Sequence, residues 1–208
     1  MNDVTILLKT AKLIPVLTIE REDEAVPLAE ALVAGGVNTL EVTLRTAAAK
    51  KALILIRRYV PKAIVGLGTA LTEEDLRQAK DLELPFAFSP GATVKLMEAA
   101  QRLGVPLIPG IATASELMLA MEHGINCFKL FPAEAAGGMG MLKSLHGPFP
   151  RAKFCPTGGI TENSAPKYLA LPNVLAVGGS WLILPGEVRS GSFAAITARA
   201  KATFAKLQ

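Results

Sequence analysis

Two β-rich runs in this 208-residue chain carry groups able to do proton and carbonyl chemistry. Thr39 to Arg45 reads T-L-E-V-T-L-R. Period 2 puts Glu41, Thr43 and Arg45 on one face and Leu40, Val42 and Leu44 on the other. Cys127 to Pro132 reads C-F-K-L-F-P, so Cys127, Lys129 and Phe131 share a face, with Lys129 flanked by Phe128 and Leu130. A lysine in the middle of a buried strand is expensive to keep charged. Desolvation, with a nearby cation such as Arg45, favours the neutral amine, the form that attacks carbonyls. Glu41 is then the acid/base that moves protons onto and off a carbinolamine and the substrate. A plainer alternative is a buried Glu41–Lys129 ion pair with a structural role. Such pairs are weak stabilisers that apolar residues could replace, which favours the chemical reading.

Two glycine-rich stretches follow later β-rich runs: Pro156-Thr157-Gly158-Gly159 and Gly178-Gly179-Ser180. Glycines let backbone N–H groups approach an anion closely, and a helix beginning nearby adds its positive dipole end. One such pair is a tight turn more often than a ligand site. Two of them, after consecutive strands, favour phosphate binding. The remaining candidates are bland. The two histidines, His123 and His146, come without a carboxylate cluster, so no metal site is expected. Cys127 and Cys155 lie in apolar context and read as core residues. Trp181 is expected to pack under a following helix.

The elements that must hold these groups alternate regularly. Strands are expected at Leu13–Leu17, Thr39–Leu44, Ile64–Gly68, Phe86–Ser89, Leu107–Pro109, Cys127–Phe131, Lys153–Thr157 and Val174–Val177, starting roughly every 23 residues. Between them apolar residues recur at helical spacing. Ala25, Ala29, Leu32 and Val33 run up to Gly35-Gly36, and Leu96, Ala99, Ala100 and Leu103 up to Gly104. Leu117, Ala120 and Met121 run up to Gly124. Thr113 to Glu116, T-A-S-E, has capping-box spacing. Eight strand signals alternating with helices predict one domain over residues 1–208, a (β/α)8 TIM barrel. An extra N-terminal helix, Asp3 to Ala11, precedes it. A doubly wound open sheet is the rival, but no G-x-G-x-x-G follows the first strand. In a barrel, chemistry sits at the C-terminal strand ends and phosphate at the ends of strands seven and eight.

Half the residues are apolar and 19% are charged, which excludes a disordered chain, and two cysteines exclude a disulfide scaffold. No apolar run approaches the ~18 residues of a membrane span, and Lys9 and Lys12 interrupt any signal-peptide pattern. The net charge of +4 is scattered, not arranged in a stripe. That pattern suits anionic small molecules better than nucleic acid. A cytoplasmic protein without nucleic-acid or membrane partners is expected.

Seven ordered motifs narrow the reading: E-V-T-L-R (41–45), G-L-G-T (66–69), S-P-G (89–91), P-G-I-A-T (109–113), F-K-L-F-P-A-E (128–134), P-T-G-G-I (156–160) and G-G-S-W (178–181). Together, from about Ile14 to Leu182, they resemble the bacterial 2-keto-3-deoxy-6-phosphogluconate (KDPG) aldolases, which often also act on 4-hydroxy-2-oxoglutarate (KHG). The resemblance implies a class I, Schiff-base aldolase of the Entner–Doudoroff pathway, usually trimeric, needing no metal or other cofactor. Its substrate is a phosphorylated 2-keto-3-deoxy sugar acid. It implies imine formation at Lys129 and proton transfer at Glu41. Arg45, Thr69 and the backbone near Pro90 hold the pyruvyl end, with Phe131 lining the site. Thr157 meets the aldehyde portion, and Gly158, Gly159, Gly179 and Ser180 bind phosphate. Two departures, Leu67 within G-x-G-T and Ala136 where asparagine is common, could reshape the pocket. An isomerase or epimerase using Glu41 and Lys129 only as acid and base, and a silent phosphosugar-binding barrel, remain as rivals.

Overall fold

Residues 3–207 are described by the computed structural model. The alternation of periods becomes an alternation of elements: α1 (Asp3–Ala11), β1 (Leu13–Leu17), α2 (Ala25–Ala34), β2 (Thr39–Thr43), α3 (Ala49–Tyr59), β3 (Ile64–Gly68), α4 (Glu73–Asp81), β4 (Ala87–Phe88), α5 (Val94–Leu103), β5 (Leu107–Ile108), β6 (Gly110–Ile111), α6 (Ala114–Glu122), β7 (Cys127–Leu130), α7 (Gly138–His146), β8 (Lys153–Pro156), α8 (Ala165–Leu169), β9 (Val177–Gly179) and α9 (Phe193–Lys206). Helix ends follow local chemistry. Thr113 Oγ1 accepts from the Glu116 N–H at 3.2 Å, and Glu116 accepts from the Thr113 N–H at 2.9 Å. Such a cap is worth ~1 kcal/mol. Gly104 ends α5 in the left-handed region, at φ 69°, where a side chain would be strained.

The expected closed eight-stranded barrel does not form. Among the described residues nine parallel strands divide into a six-stranded sheet, in the order β5-β4-β3-β2-β1-β9, and a three-stranded sheet, β6-β7-β8. The break in the fifth expected strand falls at Pro109, which has no N–H to give a ladder. β5 before it pairs with β4, and β6 after it pairs with β7. The last strand begins at Val177, not Val174. Between β8 and β9 pairing shrinks to isolated bridges, Phe154 with Val174 and Thr157 with Gly178. The expected N-terminal helix is present with the expected bounds.

Each strand sorts its residues by face. Leu40 and Val42 of β2 and Leu67 of β3 join the large core beneath the helices. A smaller core gathers Ile14, Phe86, Phe88, Ile108, Cys127, Cys155 and Ala176 with Val4 and Leu8 of α1, so both sheets and the first helix share one interior. Leu67, the first of the two departures, is wholly buried in that large core. Among the described residues no helix is long and apolar enough to cross a membrane.

No helix follows Trp181 before α9, and the chain from Ser180 to Ser192 runs in turns. Arg199 of α9 fastens this segment. Its guanidinium donates to both Glu187 oxygens at 2.6 and 2.7 Å and to the Leu182 carbonyl at 2.8 Å. Those bonds hold the Glu187 carboxyl below its ordinary range. The stabilisation is present above the unfolded glutamate pKa of ~4.3 and is lost as pH falls through the lower folded value. Glu187→Gln should destabilise the fold at neutral pH by on the order of 1 kcal/mol, and so lower the melting temperature. Variant and wild type should converge in acid, which thermal melts at several pH values will read.

Candidate active site

Glu41 reaches the interior because β2 alternates. Its apolar neighbours turn to the helices, leaving the carboxylate on the inner face at 1% exposure. Space for it is made by β3, whose Gly68 would place a Cβ 2.4 Å from Glu41 Oε1. Lys129 comes from β7 in the other sheet. Its Nζ lies 2.9 Å from Glu41 Oε1 and 3.1 Å from Oε2. Two aromatic rings bound the ammonium: Phe88 with its centroid at 4.9 Å and Phe131 at 5.5 Å. One buried amine, with one carboxylate as its charged partner and apolar rings around it, is an arrangement for proton exchange at a nucleophilic nitrogen.

Arg45 bonds Thr43, its companion on the Glu41 face by parity. It lies just beyond the end of β2, exposed, with Nε 3.1 Å from Thr43 Oγ1 and a terminal nitrogen 2.8 Å from Thr18 Oγ1. Thr43 itself donates to the Leu17 carbonyl at 2.8 Å. Arg45 makes no ion pair among the described residues, so its charge is available to an anion rather than spent on Glu41. Thr18 escaped the sequence reading, although the rule that singles out polar residues at strand ends would have found it.

Thr69 follows β3 at φ 63°, a left-handed conformation that costs a β-branched residue roughly 1–3 kcal/mol. Bonds on either side hold it there, from Leu44 N–H to the Gly68 carbonyl and from Ala70 N–H to the Phe88 carbonyl. The Pro90 carbonyl closes on Gly110, where a Cβ would lie 2.3 Å away. Cys127 and Cys155 are buried thiols. Burial pushes Cys155 up to about 12 and raises Cys127 as well, so neither supplies a nucleophile.

The glycine-rich ends of β8 and β9 meet. Thr157 packs across Gly178, where a Cβ would fall 2.2 Å from Thr157 Oγ1. Gly158 and Gly159 take positive φ, 102° and 81°, and turn against Pro132, Ala133 and Glu134, in the loop after Lys129. Among the described residues the N–H groups of Gly158, Gly159 and Ser180 donate to no protein acceptor. Gly179 lies under the Trp181 ring, which a Cβ there would meet at 1.8 Å. The helix dipole expected beside these glycines is missing after β9, and α8 begins only at Ala165.

The sequence model of the KDPG and KHG aldolase family matches residues 4–199. The chain belongs to that family. It is 48% identical over 195 residues to a KHG/KDPG aldolase of Escherichia coli, covering 94% of this chain and 92% of that protein. It is also 48% identical over 201 residues to the 2-dehydro-3-deoxy-phosphogluconate aldolase of Zymomonas mobilis, covering 97% and 95%. Among solved structures, a KDPG aldolase from Legionella pneumophila, with pyruvate captured as a covalent carbinolamine, superposes with a TM-score of 0.93. It is 44% identical and covers 97% of this chain and 98% of its own. The Zymomonas mobilis enzyme with 3-phosphoglycerate gives a TM-score of 0.92 at 47% identity, with 98% and 95% covered.

Proposed function

We propose that this chain is a class I aldolase that reversibly cleaves KDPG to pyruvate and D-glyceraldehyde 3-phosphate, and also KHG to pyruvate and glyoxylate. The observation that carries the reading is the buried Lys129–Glu41 pair, an amine and a carboxylate in direct contact between two aromatic rings. Glu41 takes a proton from Lys129, and the freed amine adds to the C2 carbonyl. Glu41 returns a proton to the carbinolamine oxygen, water leaves, and a cationic imine remains. That cation draws the electrons of the C3–C4 bond while Glu41, through a water, accepts the C4 hydroxyl proton, and the aldehyde departs. The enamine is then protonated at C3, and hydrolysis returns pyruvate and the amine.

Arg45, unpaired at the mouth of β2, suits the pyruvyl carboxylate, with Thr69 and the backbone at Pro90 beside it. Phe131 lines the site and Thr157 meets the aldehyde portion. Gly158, Gly159, Gly179 and Ser180 hold the phosphate, and the unused N–H groups of three of them support this. The family resemblance supports a homotrimer working in the cytoplasm.

Borohydride reduction with pyruvate tests the central claim. It should add a pyruvyl mass to the peptide containing Lys129, whereas an isomerase, an epimerase or a silent binding barrel takes up none. For the phosphate, each charge-assisted hydrogen bond is worth ~1.5–3 kcal/mol, so removing the Ser180 hydroxyl as a donor with Ser180→Ala should cost about tenfold in kcat/KM for KDPG. KHG carries no phosphate and should be nearly unaffected. Gly179→Val should be harsher for KDPG, because its side chain must displace Trp181. An unchanged ratio of the two specificity constants in both folded variants places the phosphate elsewhere.

A further inference from the structure

The loop that follows Lys129 and the loop that carries Gly158 and Gly159 are bound to each other twice through the backbone. The Ala133 N–H donates to the Thr157 carbonyl at 2.8 Å and the Glu134 N–H to the Gly158 carbonyl at 3.1 Å. A third link uses side chains. Tyr168 of α8, wholly buried, donates its hydroxyl to Glu134 Oε1 at 2.6 Å. The stem of Glu134 lies directly on Gly159, where a Cβ would meet Glu134 Cγ at 2.6 Å and Cβ at 2.8 Å. Its carboxylate oxygens come no closer than 4 Å to that position. They turn toward Gly138, whose corresponding position is 3.3 Å from Oε2. The Glu134 stem thus rests on the Gly158–Gly159 turn while its carboxylate is held between the Tyr168 hydroxyl and Gly138.

We propose that Tyr168 and Glu134 are positioning residues that tune selectivity for the phosphorylated substrate. Tyr168 pins the Glu134 carboxylate away from the phosphate position, and Glu134 in turn braces the Gly158–Gly159 turn against the Lys129 loop. This rests on the reading that the phosphate lies at these glycines. Without the pin the carboxylate keeps its charge and can swing toward a bound phosphate, where like charges repel. Neither residue touches the reacting carbons, so the imine chemistry at Lys129 is untouched.

Four variants separate charge from tether. Tyr168→Phe keeps the buried ring and removes only the hydroxyl. Glu134→Asp, on an exposed loop, keeps the charge and shortens its reach. Glu134→Gln keeps an acceptor for Tyr168 and loses the charge. The fourth combines Tyr168→Phe with Glu134→Gln. The first two should each raise KM for KDPG about tenfold with kcat within twofold, and leave kcat/KM for KHG within twofold. Glu134→Gln should not raise KM for KDPG, and the double variant should restore it to near the wild-type value. Pyruvate labelling of Lys129 by borohydride should be unchanged throughout. An equal loss for both substrates, or a double variant no better than Tyr168→Phe, reduces the pair to a structural brace and overturns the proposal. If Ser180→Ala shifts the substrate ratio while Tyr168→Phe and Glu134→Asp do not, the phosphate reading stands and the pairing fails. If none of them shifts it and folded Gly179→Val does not either, both fail.

Discussion

Lys129→Met should abolish pyruvate labelling and aldol turnover together, while leaving a protein that folds less stably. Methionine matches the reach of the side chain without an amine, so no carbinolamine forms, and no other lysine among the described residues is buried. Cys155, its register partner on β8, is held protonated by burial. Glu41 then has no cation beside it at 1% exposure. Breaking a buried pair from one side costs about 3–5 kcal/mol when the remaining charge stays. Adding Glu41→Gln to Lys129→Met should recover most of that stability and none of the activity. The checks are mass spectrometry after borohydride treatment, a coupled assay of glyceraldehyde 3-phosphate, and thermal melts. Residual labelling in Lys129→Met moves the imine to another amine. Full activity in the double variant returns the pair to a structural role.

Glu41→Gln alone should lower turnover by ~10²–10⁴ for both substrates, the usual contribution of a general acid/base. The amide fills the same space, lying against Gly68, but cannot take a proton from Lys129 or from the substrate hydroxyl. Pyruvate should still be trapped on Lys129, more slowly, since the amine survives. Loss without selectivity is the diagnostic feature: KDPG and KHG should fall together. This contrasts with Ser180→Ala and Tyr168→Phe, which act on the phosphate alone. Near-normal turnover would remove Glu41 from the mechanism. Single-turnover measurements, by separating imine formation from carbon–carbon cleavage, show which of its two proton transfers limits the rate.

Much of this was legible in the residues because period is a local property. The alternation in T-L-E-V-T-L-R put Glu41 inside, and the helix-facing places of Leu40 and Val42 follow from the same count. The capping box at Thr113 and Glu116 needs only three residues of separation to form, and it does. The bounds of α1, β1 and β3 likewise follow from short-range pattern.

Other features were misread or invisible for a common reason. The strand count suggested a closed barrel, but whether a ladder closes depends on N–H groups meeting partners, and Pro109 withholds one where the fifth strand should continue. Parity put Arg45 on the face of Glu41 and Thr43, and its guanidinium does bond Thr43, but its second partner, Thr18, comes from another strand end that local pattern does not reveal. Trp181 was expected under a helix that does not follow it, and it covers Gly179 instead.

The sequence by itself determined which residues face inward, where most helices start and stop, and which amine and carboxylate are the candidate pair. Family, chemistry and substrate class are carried by those residues and their order. The tertiary structure alone decided the contacts between distant segments. Lys129 and Glu41 meet within 2.9 Å across two separate sheets, 88 residues apart. Tyr168 reaches Glu134 across 34 residues. The turn of Gly158 and Gly159 finds its place against the Lys129 loop. Local pattern sets the direction of a side chain, because backbone geometry repeats from residue to residue. A partner many residues away is chosen by packing, which depends on every element between them.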